Sequence, residues 1–274
     1  MKLSIITINR NNAAGLRRTI ESVVSQTYTD FECIVIDGAS TDGSVDVIKE
    51  YAHKIDFWVS EPDKGIYNAM NKGILKAKGE YLLFLNSGDW LVDEEVLRDI
   101  SNVKLTDDIV SGNLILWDNG NQQLREAIKT EDLGFEHLYN NRMPHPSTFI
   151  KKSLFDTYGM YNEEFKIVSD WEFFLKCLIV NNCTYSNIER IISCYDLNGI
   201  SSNPEYMHIQ NDEKETTFNK YVPRIYKSYK INEIELEEYR SHEEDYREYI
   251  NLKNGKFRNI IKFLLYLKNI KKRL

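Results

Sequence analysis

Short apolar runs alternate with longer stretches of helical spacing through the first hundred positions. Residues 3–8 (LSIITI) form a β-branched run that stops at Asn9, Arg10, Asn11 and Asn12. Leu16, Ile20, Val23 and Val24 then recur at helical spacing across 13–26. Residues 31–36 (FECIVI) read as a second strand, halted by Asp37 and Gly38. A helix is expected over 44–51 with Asp42 or Ser44 as its cap, a brief strand over 57–60 and a helix over 66–78. A third buried strand, 80–85 (EYLLFL), follows. Strands that do not alternate, separated by amphipathic helices, indicate parallel strands covered on both faces. The first half therefore reads as a doubly wound α/β unit.

Beyond residue 99 the rhythm changes. Strands are expected over 109–116, 147–151 and 190–195, and helices over 153–158 and 171–180. The mixture suggests antiparallel strands added to the same sheet. From residue 207 the chain is rich in Glu, Lys and Tyr without strand patterns, so the expected organisation is one α/β domain over 1–206 and a helical extension over 207–274.

The chain has 274 residues with 42% hydrophobic and 12% aromatic side chains, enough for a real core. No apolar run is long enough to cross a bilayer. The four cysteines lack metal-type spacing and read as reduced thiols of a cytoplasmic protein. The net charge of −7 is split unevenly. Residues 251–274 carry eight Lys and Arg and no acid, leaving −15 on the first 250. An acidic body disfavours nucleic acid as a partner, and an anionic ligand there would call for a bridging divalent cation.

In an open α/β sheet, ligands bind beyond the carboxyl ends of the strands. That rule selects three polar loops, 7–12, 37–42 and 86–90. None matches GxGxxG or the phosphate loop GxxxxGK[ST], which disfavours dinucleotide enzymes and P-loop ATPases.

At these loops the chain resembles the family 2 glycosyltransferases of GT-A fold. The resemblance is carried by SIITINRNN, ESVVSQTYTDFECIVIDGASTDGS, EPDKGIYNAMNKGILKAKGEYLLFLNSGD, HPSTFIKKSLF and FKIVSDWEFFLK, and covers about residues 1–200. Within the family it looks like bacterial enzymes of surface-polysaccharide assembly that carry NSGD at the metal motif. The implied fold is α/β, a mostly parallel central sheet flanked by helices, with the C-terminal helical extension.

The resemblance also implies roles. Thr7, Asn9 and Arg10 would border the nucleotide base, and Asp37 would hydrogen-bond base or ribose; as residues alone, these are also ordinary turn formers. Lys72 would lend charge to the phosphates, although Met70 stands where the family often has Arg. Asn86, Ser87, Gly88 and Asp89 form the decisive loop. The family commonly has Asp at positions 86, 88 and 89, the last holding Mn²⁺ or Mg²⁺ against the diphosphate. Here Gly88 lacks that carboxylate, and Asp89 with Asn86 remain as oxygen donors. Asp170, which opens SDWEFFLK, matches the catalytic base; its simpler reading is a helix-start acid favoured by the dipole. His145, between two prolines, would border donor, acceptor or metal, and Gly199-Ile200-Ser201 would form a lid over the pyrophosphate.

The expected activity is inverting, metal-dependent transfer from a nucleotide-diphosphate sugar, with UDP as the expected nucleotide, to a glycan or lipid-linked hydroxyl. Two alternatives stay open: a catalytically silent sugar-nucleotide or glycan-binding relative, and a sugar nucleotidyltransferase, which should carry a basic Gly-rich loop that TINRNNAAG lacks. Residues 257–274 show basic amphipathic spacing, which suits an anionic membrane surface on the inner face or packing in a homodimer.

Overall fold

The computed structural model describes residues 3–141 and 143–241. Contacts divide the chain into two compact units, Met1–Thr217 and a second from Phe218 onward. The amphipathic segment expected over 257–274 lies outside the described residues.

The first unit opens with β1 (Leu3–Asn9), α1 (Ala13–Val24), β2 (Phe31–Asp37), α2 (Ser44–Tyr51), β3 (Phe57–Ser60), α3 (Ile66–Lys76) and β4 (Tyr81–Phe84). These strands pair in parallel in the order β3-β2-β1-β4. Every residue of β1 and β4 is buried, as expected of strands covered on both faces. On one side Leu16, Ile20 and Val23 of α1 join Leu3, Ile5, Cys33 and Val35 in the main core. On the other, α3 lies close against β1 because Gly73 is there. A Cβ at Gly73 would meet the Ile6 side chain at 2.5 Å.

The second stretch contributes β5 (Trp90–Leu91), α4 (Val96–Asn102), β6 (Ile109–Asp118), β7 (Asn121–Arg125), α5 (Phe135–Asn140) and β8 (Thr148–Lys151). It ends with α6 (Ser153–Tyr158), α7 (Ser169–Phe174), β9 (Tyr185–Asp196) and α8 (Met207–Tyr221). β8 pairs antiparallel with both β4 and β6, so the sheet continues across the molecule as β3-β2-β1-β4-β8-β6-β9-β5, with β7 hairpinned on β6. The result is a nine-stranded mixed sheet among the described residues. The division between units falls inside α8.

Several elements depart from the pattern-based expectation. β5, β7, α4 and α5 are additional, and β9 begins at Tyr185 rather than 190. The helix expected over 171–180 starts earlier, at Ser169, and continues from Leu175 to Val180 as a π turn. Its wider winding closes on the Asn181 N–H to Lys176 carbonyl bond, at 3.2 Å. In the second unit, α9 (Pro223–Ser241) is helical, and the Phe218 and Tyr226 rings stack at 4.8 Å.

Candidate active site

The loop after β4 is held from beneath by α1. Thr19 Oγ1 donates to the Asp89 carbonyl at 2.6 Å and accepts from the Gly88 N–H at 3.0 Å. Arg18 donates to the Gly88 carbonyl at 2.6 Å and to Asp196 Oδ2 at 2.7 Å, with its guanidinium 3.9 Å over the Trp90 ring. Gly88 has φ +112°, a backbone region L side chains rarely adopt, while a Cβ there would make only ordinary contacts. Conformation, rather than space, therefore opposes a carboxylate at position 88 in this loop.

That anchoring aims Asp89 inward. Its side chain is buried, and Oδ1 accepts from the Asp196 N–H at 3.0 Å. Burial pushes its carboxyl up to about 7, against the opposing pull of His145. Asn86 Nδ2 lies 3.0 Å from His145 Nε2, and Asn86 Oδ1 is buried with no hydrogen-bond partner.

His145 Nδ1 in turn lies 2.9 Å from Asp170 Oδ2, and Tyr67 donates its hydroxyl to Asp170 Oδ1 at 2.9 Å. Burial disfavours charge on both His145 and Asp170. Their mutual hydrogen bond and attraction outweigh it, raising the imidazole and lowering the carboxyl. The local fold fixes Asp170 at the first turn of α7. Glu213 of α8 accepts from the N–H groups of Lys166, Ile167 and Val168 just before it, and Trp171 Nε1 donates to the Leu138 carbonyl at 2.9 Å. Behind Tyr67, Tyr161 packs edge-on against Phe84, Phe155 and Phe173, with Phe155 and Phe173 stacked at 4.2 Å.

At the ends of β1 and β2 a second cluster forms around Asp37, which is fully buried. Its Oδ1 accepts from Asn9 Nδ2 at 2.7 Å and the Ser40 hydroxyl at 2.5 Å; its Oδ2 accepts from the Ser40 N–H at 2.9 Å and the Ser60 hydroxyl at 2.6 Å. Burial pushes the carboxyl up, but these donors outweigh it and hold it below the usual range. Asn9 Oδ1 is buried without a partner, and Thr7 is buried in β1. Arg10 is exposed, 3.7 Å from Asp63. Lys72 is tied to Glu61 at 2.8 Å and the Pro62 carbonyl at 3.0 Å, apart from the Asp89–Asp170 group. The N-cap of α2 is Gly43, neither Asp42 nor Ser44; Asp42 sits one residue before it and accepts from the Ala13 and Ser44 N–H groups.

The structure thus joins Asn86, His145 and Asp170 in one hydrogen-bonded chain, with Asp89 beside it, and groups Asn9 with Asp37. A pocket of about 730 Å³ opens from Asp170, His145 and Asn86. Tyr67, Arg18 and Asp196 were missed by pattern reading. Tyr67 looks like one more core residue of α3, and the Arg18–Asp196 pair spans 178 positions, so neither leaves a local signal. Among the described residues no three His, Cys, Asp or Glu side chains cluster as a metal cage. Asp89, buried and hard to ionise, and the partnerless Asn86 Oδ1 instead offer two hard oxygen donors that a divalent cation would satisfy, provided phosphate or water completes its shell.

The family model described as "Glycosyl transferase family 2" matches residues 4–165. An uncharacterized glycosyltransferase of Mycobacterium tuberculosis strain H37Rv is 34% identical over 209 residues, covering 74% of this chain and 78% of its own. A PGL/p-HBAD biosynthesis glycosyltransferase of Mycobacterium bovis is 31% identical over 180 residues, 64% of this chain and 68% of its own. Among solved structures, S. aureus TarS residues 1–349 in complex with UDP superposes with a TM-score of 0.58 at 21% identity, covering 72% of this chain. This chain spans 60% of the length of that one. Mannosyltransferase PcManGT from Pyrobaculum calidifontis, in complex with GDP-Man and Mn²⁺, has a TM-score of 0.54 at 16% identity, covering 70% and 56% of the two chains. The sheet order, the match over residues 4–165 and the mycobacterial relatives agree, and the chain belongs to glycosyltransferase family 2, an enzyme of GT-A fold.

Proposed function

We propose that this glycosyltransferase moves a sugar from a UDP-sugar to a hydroxyl of a glycan or lipid-linked acceptor, with inversion at the anomeric carbon. The observation that carries the reading is the placement of Asp170 between Tyr67 and His145 in the lining of the 730 Å³ pocket, two hydrogen bonds, through His145, from Asn86 of the 86–89 loop.

In this reading Asp37, Asn9, Thr7 and Arg10 border the nucleoside, which the UDP held by TarS supports by analogy of fold. A divalent cation held by Asp89 and Asn86 would supply positive charge to the departing diphosphate, as the Mn²⁺ in PcManGT suggests. Ser87 and Gly88 shape the loop that holds those two donors. Asp170 takes the proton of the acceptor hydroxyl as its oxygen bonds to C1. The bond from C1 to the diphosphate breaks on the opposite face, and its electron pair leaves with the UDP. His145 and Tyr67 fix the two carboxylate oxygens, so the base meets the acceptor in one orientation. Lys72, held by Glu61, would reach a phosphate only by leaving that pair.

The decisive assay is release of nucleotide from a panel of UDP-, GDP- and dTDP-sugars with Mn²⁺ and a panel of alkyl glycosides as acceptors, with and without EDTA. UDP release from at least one UDP-sugar, abolished by EDTA, is the expected result. Release from GDP- or dTDP-sugars alone would overturn the nucleotide, and full activity in EDTA would overturn the cation. Binding with no release from any donor would favour the silent sugar-nucleotide-binding alternative.

A further inference from the structure

A surface helix ordinarily docks by burying an apolar stripe. α8 does not. Over residues 207–217 the two buried side chains are both polar, Gln210 and Thr217, while Met207 is exposed. Gln210, Glu213 and Thr217 recur at helical spacing and share one face. Directional bonds hold that face, and such bonds fix where a helix sits.

From this face the helix makes two grips. Gln210 Nε2 donates to the Ser201 carbonyl at 2.9 Å, and the Ser201 hydroxyl is bonded to that of Tyr195. Ser201 belongs to the short turn Ile200–Ser202, where the lid is expected and which lines the pocket. One turn further along α8, Glu213 Oε1 accepts from the Lys166 N–H at 2.6 Å, and Oε2 from the Ile167 and Val168 N–H groups at 3.1 Å. Those three donors lead into α7, ahead of its helical bonding, and the first turn of α7 holds Asp170. Lys214 adds a cation 5.0 Å over the ring of Trp171, the next residue along. Gln210 and Glu213 both lie beyond the family match over residues 4–165.

We infer that Gln210 and Glu213 are positioning residues, and that α8 couples the Ile200–Ser202 turn to Asp170. The two side chains leave one helix about 4.5 Å apart along its axis, so neither partner shifts without moving the other or breaking a bond. Glu213 acts on Asp170 through the backbone of 166–168, and Gln210 acts through α8. Seating of the turn and alignment of the base become one event. This inference rests on the reading of Asp170 as the base and adds how that base is held.

Hydrogen exchange of the full chain, free of donor and metal, tests the coupling. Glu213→Ala should speed exchange at its own partners, the Lys166, Ile167 and Val168 amides. It should also speed exchange at Ser202 and Asn203, whose N–H groups close the other turn. Gln210→Met keeps the volume and loses the donor; it should speed exchange at Ser202 and Asn203, and also at 166–168. Each cross effect should be about tenfold or more, with the amides of β1 unchanged. Glu213→Gln keeps one carbonyl oxygen and should fall between Ala and the native chain; it replaces Glu213→Ala should that variant melt early. Glu215→Ala, exposed on α8, should change nothing.

Turnover of the UDP-sugar and alkyl glycoside that release UDP gives a second readout. Glu213→Ala should lower kcat by about tenfold or more with the donor KM within about twofold, and Glu213→Gln should recover part of the loss. In the Asp170→Asn background, Glu213→Ala should cost less than about twofold further, because the group it positions is gone. Exchange that rises only beside the substituted residue, or equally in β1, would overturn the coupling. An undiminished loss in the Asp170→Asn background would show that Glu213 acts elsewhere and overturn its role. Full turnover in Asp170→Asn alone would instead overturn the base reading, and the exchange result is read without reference to it.

Discussion

Asp170, half-buried, and Asp89, buried, are both carboxylates near His145, yet their surroundings drive them apart. Asp170 receives hydrogen bonds from Tyr67 and His145 and stays ionised; Asp89 receives one backbone N–H and is pushed up to about 7. Divergent environments of this kind assign roles. Asp170→Asn keeps the shape and loses the proton acceptor. Turnover of bound donor should fall by ~10²–10⁴-fold, while UDP affinity, measured by calorimetry, stays within about twofold. Collapse of UDP affinity with turnover retained would make Asp170 a donor ligand instead. For Asp89 the pH dependence has a definite sign. Between its unfolded value near about 4 and its folded value, the native state holds a proton that the unfolded chain has lost. The stabilisation is complete below that window and is lost as pH rises through about 7. In chelator, melting temperature should therefore decline from pH 5.5 to 8, and Asp89→Asn should flatten the decline. Mn²⁺ should raise the melting temperature at pH 8 and do little at pH 5.5. An equal Mn²⁺ effect in Asp89→Asn would place the cation elsewhere.

At the scale of elements, α1 serves the site by holding the backbone of the loop that carries Asp89. Thr19 sits fully buried with its hydroxyl shared among the Gly15 and Asp89 carbonyls and the Gly88 N–H. Thr19→Val preserves volume and removes the partner of the Asp89 carbonyl and the Gly88 N–H. Stability should drop by about 1–3 kcal/mol in denaturant unfolding. The apparent affinity for Mn²⁺ should weaken with it, because the loop carrying Asp89 loses its anchor. Loss of stability with unchanged Mn²⁺ affinity would show that the loop keeps its shape unaided. Thr19 also shows where sequence reading stops. β1, β2, β4, α1 and α2 were legible because each carries its own apolar period; Asp37 and Asp89 lie in polar loops that follow buried strands, whereas Asp170 stood out only through the resemblance of SDWEFFLK to the family motif. β7 (NQQLR) is polar, and β5 has only two residues; both exist because β6 and β9 offer them edges. The first half of β9 is similarly polar and is paired by β6. The bond from Tyr67 to Asp170 spans 103 positions and follows from sheet closure, which no local period encodes.

Over the whole molecule, charge is the property that remains unspent. No helix among the described residues is long and apolar enough to cross a membrane. Residues 251–274 nevertheless concentrate eight basic side chains after a body of −15. A lipid-linked acceptor, one of the two proposed above, would be met at a lipid surface, and a basic segment favours an anionic one. The full chain should pellet with vesicles containing phosphatidylglycerol at low salt and not with pure phosphatidylcholine vesicles. Lys271→Glu with Lys272→Glu should reduce the bound fraction several-fold, each lost charge counting for about 1 kcal/mol near the surface. Equal pelleting with both vesicle types would remove electrostatics as the cause.

The way the sheet is assembled has an evolutionary consequence. The clusters around Asp37 and Asp89 come from residues 7–89, whose strands β1 to β4 pair in parallel, whereas Leu116, Leu124, Trp171 and Met207 of the pocket all come later. β8 is the seam, paired with β4 on one side and β6 on the other. Asp196 of β9 reaches back across that seam to Arg18 and Asp89, so the later strands also hold the loop after β4. A lineage that recombines these parts has to carry Asp170 and Asp196 together with β6, and a chimera joined between α4 and β6 keeps all three on one side.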